Sequence, residues 1–122
     1  MNILIIDDDI TAAETLAREL NNYADASIVG KASTGSKGFD MVKDKKPELI
    51  FLDVELPDMS GLNFIDKINA ISNYDFKVVI FSSYEKYMLD AFRMSAFDYL
   101  LKTIDKNSLN VIMERFYTSQ RT

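Results

Sequence analysis

Short apolar segments alternate with amphipathic segments along all 122 residues of the chain. The apolar segments are rich in β-branched residues, which is typical of strands buried on both faces of a sheet. The segments between them repeat apolar residues at helical spacing. We therefore predict five strands, at residues 3–6, 26–32, 48–52, 76–81 and 97–101, and five helices, at residues 10–20, 36–44, 62–71, 85–94 and 105–118.

This alternation also predicts how the elements are arranged. Strands that alternate with helices form a parallel sheet covered on both faces, and right-handed crossovers leave few possible strand orders. We predict an α/β fold of the flavodoxin-like (βα)5 type, with strand order 2-1-3-4-5. In a sheet with this strand order, ligands bind at the carboxyl ends of the strands, beside the switch point between strands 1 and 3. The length fits one domain with a hydrophobic core, and we assign residues 1–122 to it.

The composition excludes several kinds of chemistry. The chain has no cysteine and no histidine, which removes disulfides, thiolates, imidazole bases and Ser-His-Asp triads. A metal bound here must be a hard cation such as Mg²⁺, which prefers oxygen ligands. With 14 basic and 19 acidic side chains the net charge is −5, which argues against general nucleic-acid binding by this domain.

The N-terminal sequence does not resemble a signal peptide, because no basic stretch precedes its apolar run. No apolar stretch approaches the ~20 residues that a membrane-spanning helix needs. We therefore expect a cytoplasmic protein with no membrane partner.

Charged residues follow three of the predicted strands. Asp7 and Asp8 follow the first strand, Asp53 follows the third, and Lys102 follows the fifth. Because parallel strands end at the same edge of a sheet, we expect these side chains to converge there. Three carboxylates at one edge repel one another, so the cluster needs a bound cation and the lysine to neutralise it.

Such a cluster has the ligands of a magnesium site. Asp8 and Asp53 are candidate carboxylate ligands, and the backbone carbonyl of Glu55 is a third candidate. Asp7 could act through a water molecule. A metal-bound carboxylate that faces an incoming phosphate can form an acyl phosphate, and Asp53 is placed for that role.

Two further side chains are candidates for contacts with a phosphoryl group. Lys102, together with the metal, would stabilise charge on the phosphoryl oxygens during in-line transfer. Ser82 ends the fourth strand at the same edge, and its hydroxyl could donate a hydrogen bond to a phosphoryl oxygen. A strand register misread by one residue would put Ser83 in its place.

Four sequence motifs together resemble one family. They are the DDD run at residues 7–9, LDVELP at 52–57, FSS at 81–83 and DYLLK at 98–102. In this order and spacing they are similar to the receiver domain of two-component response regulators, over essentially the whole chain. Residues 84–102 most resemble receivers that are joined to LytTR-type DNA-binding domains.

The resemblance implies a role for each of these residues. Asp53 would accept a phosphoryl group from a sensor histidine kinase or a phosphotransfer protein, and Asp7 and Asp8 would hold Mg²⁺. Ser82 and Tyr99 would be the switch residues. The chain would not be an enzyme beyond assisting its own phosphorylation and dephosphorylation.

The resemblance also implies a responsive surface, formed by the fourth helix, the fifth strand and the fifth helix. Its change would control an output such as transcription, through a homodimer or another partner. DNA would be bound only by an attached output domain, from which residues 1–122 would have been cut.

One position departs from the family pattern. Thr103 follows Lys102 where the family usually has proline, often after a cis bond. A cis bond that does not precede proline costs about 2.5–4 kcal/mol. We therefore predict a trans Lys102–Thr103 bond and a somewhat shifted Lys102.

The sequence leaves other interpretations open. An aspartyl-phosphate phosphatase of the haloacid-dehalogenase type would need Asp-x-Asp, whereas residue 55 is Glu. An FMN binder would need a first loop rich in Ser, Thr and Gly rather than three acids. A stand-alone or degenerate receiver could act only as a protein-docking module. For single residues, Asp9 is most simply a helix cap, and Met88 and Phe92 belong either to the core or to a partner surface.

Overall fold

The computed structural model describes residues 1–121, in which strands and helices alternate without exception. The strands are β1 (Asn2–Ile6), β2 (Ser27–Ala32), β3 (Leu49–Leu52), β4 (Lys77–Ser82) and β5 (Asp98–Leu101). The helices are α1 (Ile10–Leu20), α2 (Gly35–Lys45), α3 (Gly61–Ile71), α4 (Met88–Arg93) and α5 (Lys106–Ser119). Most boundaries lie within one or two residues of the predicted ones.

The strands form one parallel sheet in the order β2-β1-β3-β4-β5. The predicted flavodoxin-like fold and strand order are therefore confirmed. β1 and β3 are neighbours in register, with Ile6 opposite Leu52. Their carboxyl ends thus lie side by side at the switch point of the sheet, where ligands bind in folds of this type.

Alternate residues of the central strands enter two separate hydrophobic layers, because successive side chains of a strand point to opposite faces. Ile5, Phe51 and Phe81 belong to the layer that α1 and α5 cover. Ile6 and Leu52 belong to the layer covered by α2 and α3, with a smaller contribution from α4. The central strands are buried on both faces, so the polar residues that follow them mark the edge of the core.

Side chains cap four of the five helices. Asp9, Thr34, Ser60 and Asp105 each accept a hydrogen bond from a backbone N–H in the first turn. Such a bond satisfies a donor that has no partner within the helix. The interpretation of Asp9 as a cap is confirmed, which separates it from the two acids before it.

Helix α4 is shorter than predicted, because it begins at Met88 and not at residue 85. Within the described chain, the preceding Tyr87 makes no capping side-chain hydrogen bond. The helix buries Ala91 but leaves Met88 and Phe92 exposed, the latter by 79%. Few apolar contacts therefore hold this helix against the sheet, and both side chains lie on the surface rather than in the core.

No helix within residues 1–121 combines the length and the apolar character that crossing a membrane requires.

Candidate functional site

Three carboxylates meet at the carboxyl ends of β1 and β3, as the strand order predicts. The backbone N–H of Asp53 donates to the carbonyl of Ile6 at 2.9 Å, so the hydrogen bonds between the two strands continue to the acid. Carboxylate oxygens of Asp7, Asp8 and Asp53 all lie within 4.8 Å of one another. Asp7 and Asp53 are buried, whereas Asp8 is exposed. The cluster is thus open to solvent on the side of Asp8.

Lys102 comes from the end of β5 and bridges the two buried acids. Its Nζ lies 2.7 Å from Asp7 Oδ2 and 3.3 Å from Asp53 Oδ2. Asp7 Oδ2 is buried and, among the described residues, accepts no hydrogen bond of normal geometry. The contact between Lys102 and Asp7 is therefore best described as a close ion pair.

Burial dominates the electrostatics of Asp7. Loss of solvent raises the pKa of its carboxyl group to about 6, although the contact with Lys102 and the backbone N–H of Asp9 act in the opposite direction. For Lys102, burial would lower the pKa, but the close ion pair with Asp7 and the charge of Asp53 outweigh it. The pKa of the ammonium group is raised. Lys102 is therefore a permanent positive charge at this site.

The donor set fits a hard divalent cation. Three carboxylates offer oxygens at one point, and a buried oxygen of Asp7 has no hydrogen bond of normal geometry within residues 1–121. Mg²⁺ binds oxygen ligands and usually keeps several waters, which suits a cluster open to solvent beside Asp8. Asp8 and Asp53 would be direct ligands and Asp7 would act through a water, with the backbone carbonyl of Glu55 as a further candidate ligand.

Asp53 is held by the loop that follows it. The backbone N–H of Glu55 donates to Asp53 Oδ1 at 3.2 Å. Gly61, at the start of α3, packs so closely that a Cβ there would lie 2.4 Å from the carbonyl oxygen of Asp53. Glycine is required at this position because any side chain would collide with the backbone of the acid. The loop and α3 together fix where the Asp53 carboxylate points.

Ser82 and Tyr99 lie beside the cluster and are linked through a third residue. Ser82 is fully buried whereas Ser83 is exposed, so the predicted register of β4 is the right one. Ser82 Oγ accepts a hydrogen bond from the backbone N–H of Tyr84 at 3.1 Å. The half-buried Tyr99 donates its hydroxyl to the carbonyl of that same residue.

The prediction of a trans peptide bond between Lys102 and Thr103 is wrong, because this bond is cis. The prediction considered only the intrinsic preference of the bond. In the folded chain Lys102 is also fixed by tertiary contacts: its N–H donates to the carbonyl of Ser82 at 2.8 Å, and its ammonium group reaches both buried acids.

The sequence analysis missed two contacts of the loop between β3 and α3, which carries Glu55 and Asp58. Tyr87 donates its hydroxyl to the carboxylate of Glu55, and this hydrogen bond raises the pKa of the phenol to about 12. The carboxylate of Asp58 accepts from the backbone N–H groups of Gly35 and Ser36, at 2.8 and 2.9 Å, which lowers its pKa. Neither contact has a local sequence signal, since each joins segments that are more than 20 residues apart in the chain.

Comparison with known proteins identifies the family of the chain. A model of the response regulator receiver domain matches residues 3–114. The chain belongs to this family. The receiver domain is 35% identical over 112 residues to a response regulatory protein of Shewanella oneidensis, a match that covers 92% of this chain and 47% of that protein.

Two relatives of the receiver domain have more specific names. It is 33% identical to the transcriptional regulatory protein BtsR of Escherichia coli and 30% identical to the sensory transduction protein LytT of Enterococcus faecalis. Each match covers 94% of this chain and 47% of the relative. The receiver domain thus spans about half the length of the curated relatives it matches.

Solved structures share the fold. The response regulatory domain of mrkE from Klebsiella pneumoniae superposes with a TM-score of 0.88 at 24% identity, covering 98% of this chain and 97% of that one. The N-terminal domain of a Wolinella succinogenes protein superposes with a TM-score of 0.81 at 27% identity, covering 98% and 95%. The match of the family model over residues 3–114 and the relatives above identify the chain as a receiver domain of the kind found in response regulators of two-component systems.

Proposed function

We propose that this receiver domain is a phosphorylation-controlled switch in which Asp53 is the phosphoacceptor and Mg²⁺ is the cofactor. The observation that carries the proposal is the convergence of three carboxylates and Lys102 at the carboxyl ends of β1, β3 and β5. Asp53 has one oxygen beside the lysine and the other bonded to a backbone N–H. A nucleophilic carboxylate with neighbouring positive charge is suited to attack phosphorus.

In the proposed step, a carboxylate oxygen of Asp53 forms a bond to the phosphorus of a phosphohistidine on a partner kinase or phosphotransfer protein. The phosphorus–nitrogen bond breaks, and the imidazole nitrogen leaves with the electron pair. The ammonium group of Lys102 lies within contact distance of Asp53 and would stabilise negative charge on the phosphoryl oxygens. Bound Mg²⁺ would supply further positive charge for the same oxygens.

Phosphorylation replaces the single negative charge of the Asp53 carboxylate with a phosphoryl group that carries about −1.5 to −2 charges and three acceptor oxygens. We expect Ser82 to donate its hydroxyl to one of these oxygens, since Oγ is at the end of the neighbouring strand β4. Tyr84 and Tyr99 are hydrogen-bonded in sequence beyond Ser82. A shift of the serine would therefore reach β5 and α4, and we propose that the α4–β5–α5 surface carries the output.

The relatives suggest what that output is. Their names include a transcriptional regulatory protein and a sensory transduction protein, so we propose that the domain controls transcription through an attached DNA-binding domain. A sensor histidine kinase would be the donor, and a homodimer through α4–β5–α5 would be the active form. Residues 1–122 would be the receiver unit, cytoplasmic and without turnover of any other substrate.

The test is phosphorylation by a small donor. We expect incubation with Mg²⁺ and acetyl phosphate to add the mass of one phosphoryl group, and we expect chelation of the metal to prevent it. Asp53→Asn is the matched control, because it keeps the shape of the side chain but has no nucleophilic carboxylate. Absence of the mass gain, or an equal gain in Asp53→Asn, would refute the proposal and would favour a docking module instead.

A further inference from the structure

A side-chain hydrogen bond joins the two loops that flank Asp53. Tyr87, in the loop between β4 and α4, donates its hydroxyl to the carboxylate of Glu55, in the loop between β3 and α3. Glu55 in turn donates its backbone N–H to Asp53 Oδ1 at 3.2 Å. Tyr87 is thus two hydrogen bonds from the central carboxylate of the site, with Glu55 as the only residue between them.

The ring of Tyr87 is held in place independently of its hydroxyl. It is half-buried and packs against the hydrophobic layer that α2 and α3 cover. The rings of Tyr87 and Tyr84 pack in a T-shaped arrangement at a centroid distance of 6.2 Å, and the ammonium group of Lys86 lies 5.1 Å from the centre of the Tyr87 ring. Removing the hydroxyl alone should therefore leave the ring where it is, and would break only the contact to Glu55.

The far end of the same loop is also anchored beside the site. Tyr84 donates its N–H to Ser82 Oγ and accepts the Tyr99 hydroxyl at its carbonyl. The segment from Tyr84 to Tyr87 is therefore fixed at one end to β4 and β5 and at the other end to the loop that holds Asp53. The Glu55 contact is what connects this segment to the acidic cluster.

Glu55 carries a negative charge, so the placement of its carboxylate affects the acidic cluster. Its carboxylate is exposed and lies two residues from Asp53, so it adds a fourth negative charge near three others. An unrestrained glutamate would sample many rotamers and would not constrain its own backbone. A neutral phenol donor fixes the carboxylate without removing its charge. The backbone N–H that orients Asp53 belongs to this same residue.

We propose that Tyr87 is a positioning residue of the site: by holding the Glu55 carboxylate, it fixes the backbone of residue 55 and so orients the Asp53 carboxylate for cation binding. The inference rests on the proposed function, from which it takes Mg²⁺ as the cation. Tyr87, in the loop between β4 and α4, would thus join the residues that position the Asp53 carboxylate.

The test compares Mg²⁺ affinity in four proteins: the wild type, Tyr87→Phe, Glu55→Ala and the double variant. Loss of residues that support a metal ligand typically lowers metal affinity 10–100-fold, and Tyr87 acts one contact further out. We therefore expect Tyr87→Phe to weaken Mg²⁺ binding about 3- to 10-fold, measured by calorimetry. In the Glu55→Ala background the same change should have no effect, because the acceptor of the hydroxyl is gone.

This comparison isolates positioning from charge and from stability. Tyr87→Phe changes no charge in either background, so the electrostatic effect of removing Glu55 cancels in the cycle. Tyr84→Phe is the matched control. Within the described residues its hydroxyl makes no hydrogen bond, and its ring packs on Tyr87. It should bind Mg²⁺ like the wild type. Thermal unfolding should show that all single variants remain folded.

A backbone readout gives a second line of evidence. In ¹⁵N-labelled protein, Tyr87→Phe should shift the amide resonances of residues 53 and 55, and Tyr84→Phe should leave them in place. Phosphorylation kinetics should show a split: the Mg²⁺ concentration for half-maximal rate rises in Tyr87→Phe, whereas the rate at saturating Mg²⁺ stays close to that of the wild type.

Several results would overturn the inference. They are wild-type affinity in Tyr87→Phe, an equal loss in the Glu55→Ala background, an equal loss in Tyr84→Phe, and no Mg²⁺ binding by the wild type. The titrations need no phosphodonor, so they are separate from the test of the proposed function. A wild type that binds Mg²⁺ but is never phosphorylated would refute that function and leave the role of Tyr87 standing.

Discussion

Substitution of Asp7 by Asn should stabilise the metal-free protein at neutral pH. The carboxyl group of Asp7 is buried and its pKa is raised from 3.8 to about 6. The folded state therefore favours the protonated, neutral form more strongly than the unfolded state does. Above pH 6 the native protein must keep this carboxylate ionised, which opposes folding. Asn has nearly the same shape and carries no charge, so the substitution removes the cost of burying an ionised carboxylate.

The size of the effect follows from the two pKa values. A difference of about two units corresponds to about 3 kcal/mol at 1.36 kcal/mol per unit. This is the upper limit at pH 7.5, because the substitution also removes the ion pair between Asp7 and Lys102. The folded state binds more protons between pH 3.8 and about 6, so the stability of the wild type falls as pH rises through this window. At pH 4.5 the same difference in pKa destabilises the folded state by only about 1 kcal/mol.

The assay is urea unfolding of both proteins in a chelating buffer, at pH 7.5 and at pH 4.5. We expect Asp7→Asn to be more stable by about 1–3 kcal/mol at pH 7.5, and the gain to shrink at pH 4.5. Added Mg²⁺ should stabilise the wild type more than the variant, since ligand binding stabilises the state that binds it. A variant no more stable than the wild type at pH 7.5, or a gain independent of pH, would show that burial of the Asp7 carboxylate does not oppose folding.

Two further substitutions test the packing and the charge of the site. Gly61→Ala should lower the free energy of unfolding by about 1–3 kcal/mol in urea, because its Cβ would meet the backbone of Asp53; Gly30→Ala, whose Cβ would meet the flexible side chain of Met41, should lower it less. Lys102→Gln removes the positive charge beside Asp53, and should slow the mass gain from acetyl phosphate by about tenfold or more at saturating Mg²⁺. Equal stability of the two alanine variants, or an unchanged rate in Lys102→Gln, would contradict these expectations.

The elements that could be predicted are those whose signal is local. Buried strands such as β1 and β3 are continuous apolar runs, and the positions after them are where polar residues must begin. Once the strand order is inferred, the convergence of Asp7, Asp53 and Lys102 follows from the geometry of a parallel sheet. The start of helix α4 was predicted at residue 85 and lies at Met88, because the helix has a weak pattern and Ala91 is its buried residue. The local sequence therefore constrains its start poorly.

Contacts between loops were not predictable. The hydrogen bond from Tyr87 to Glu55 joins residues 32 positions apart, and no spacing rule connects them. The cis bond after Lys102 was predicted wrongly, because the preference of a peptide bond was considered without the contacts of the residue before it. The sequence predicted that like charges would perturb the acids, whereas the first cause of the raised pKa of Asp7 is its burial.

The amino-acid sequence by itself determined the alternation of strands and helices, the two-sided burial of the sheet and the identity of the charged residues at its edge. These properties depend on hydrophobic periodicity and chain connectivity, which act over a few residues at a time. Only the tertiary structure decided which oxygen faces which nitrogen, how deeply Asp7 is buried, and that Tyr87 reaches Glu55. Those features depend on how separate loops pack over the same edge, and packing is a property of the whole chain.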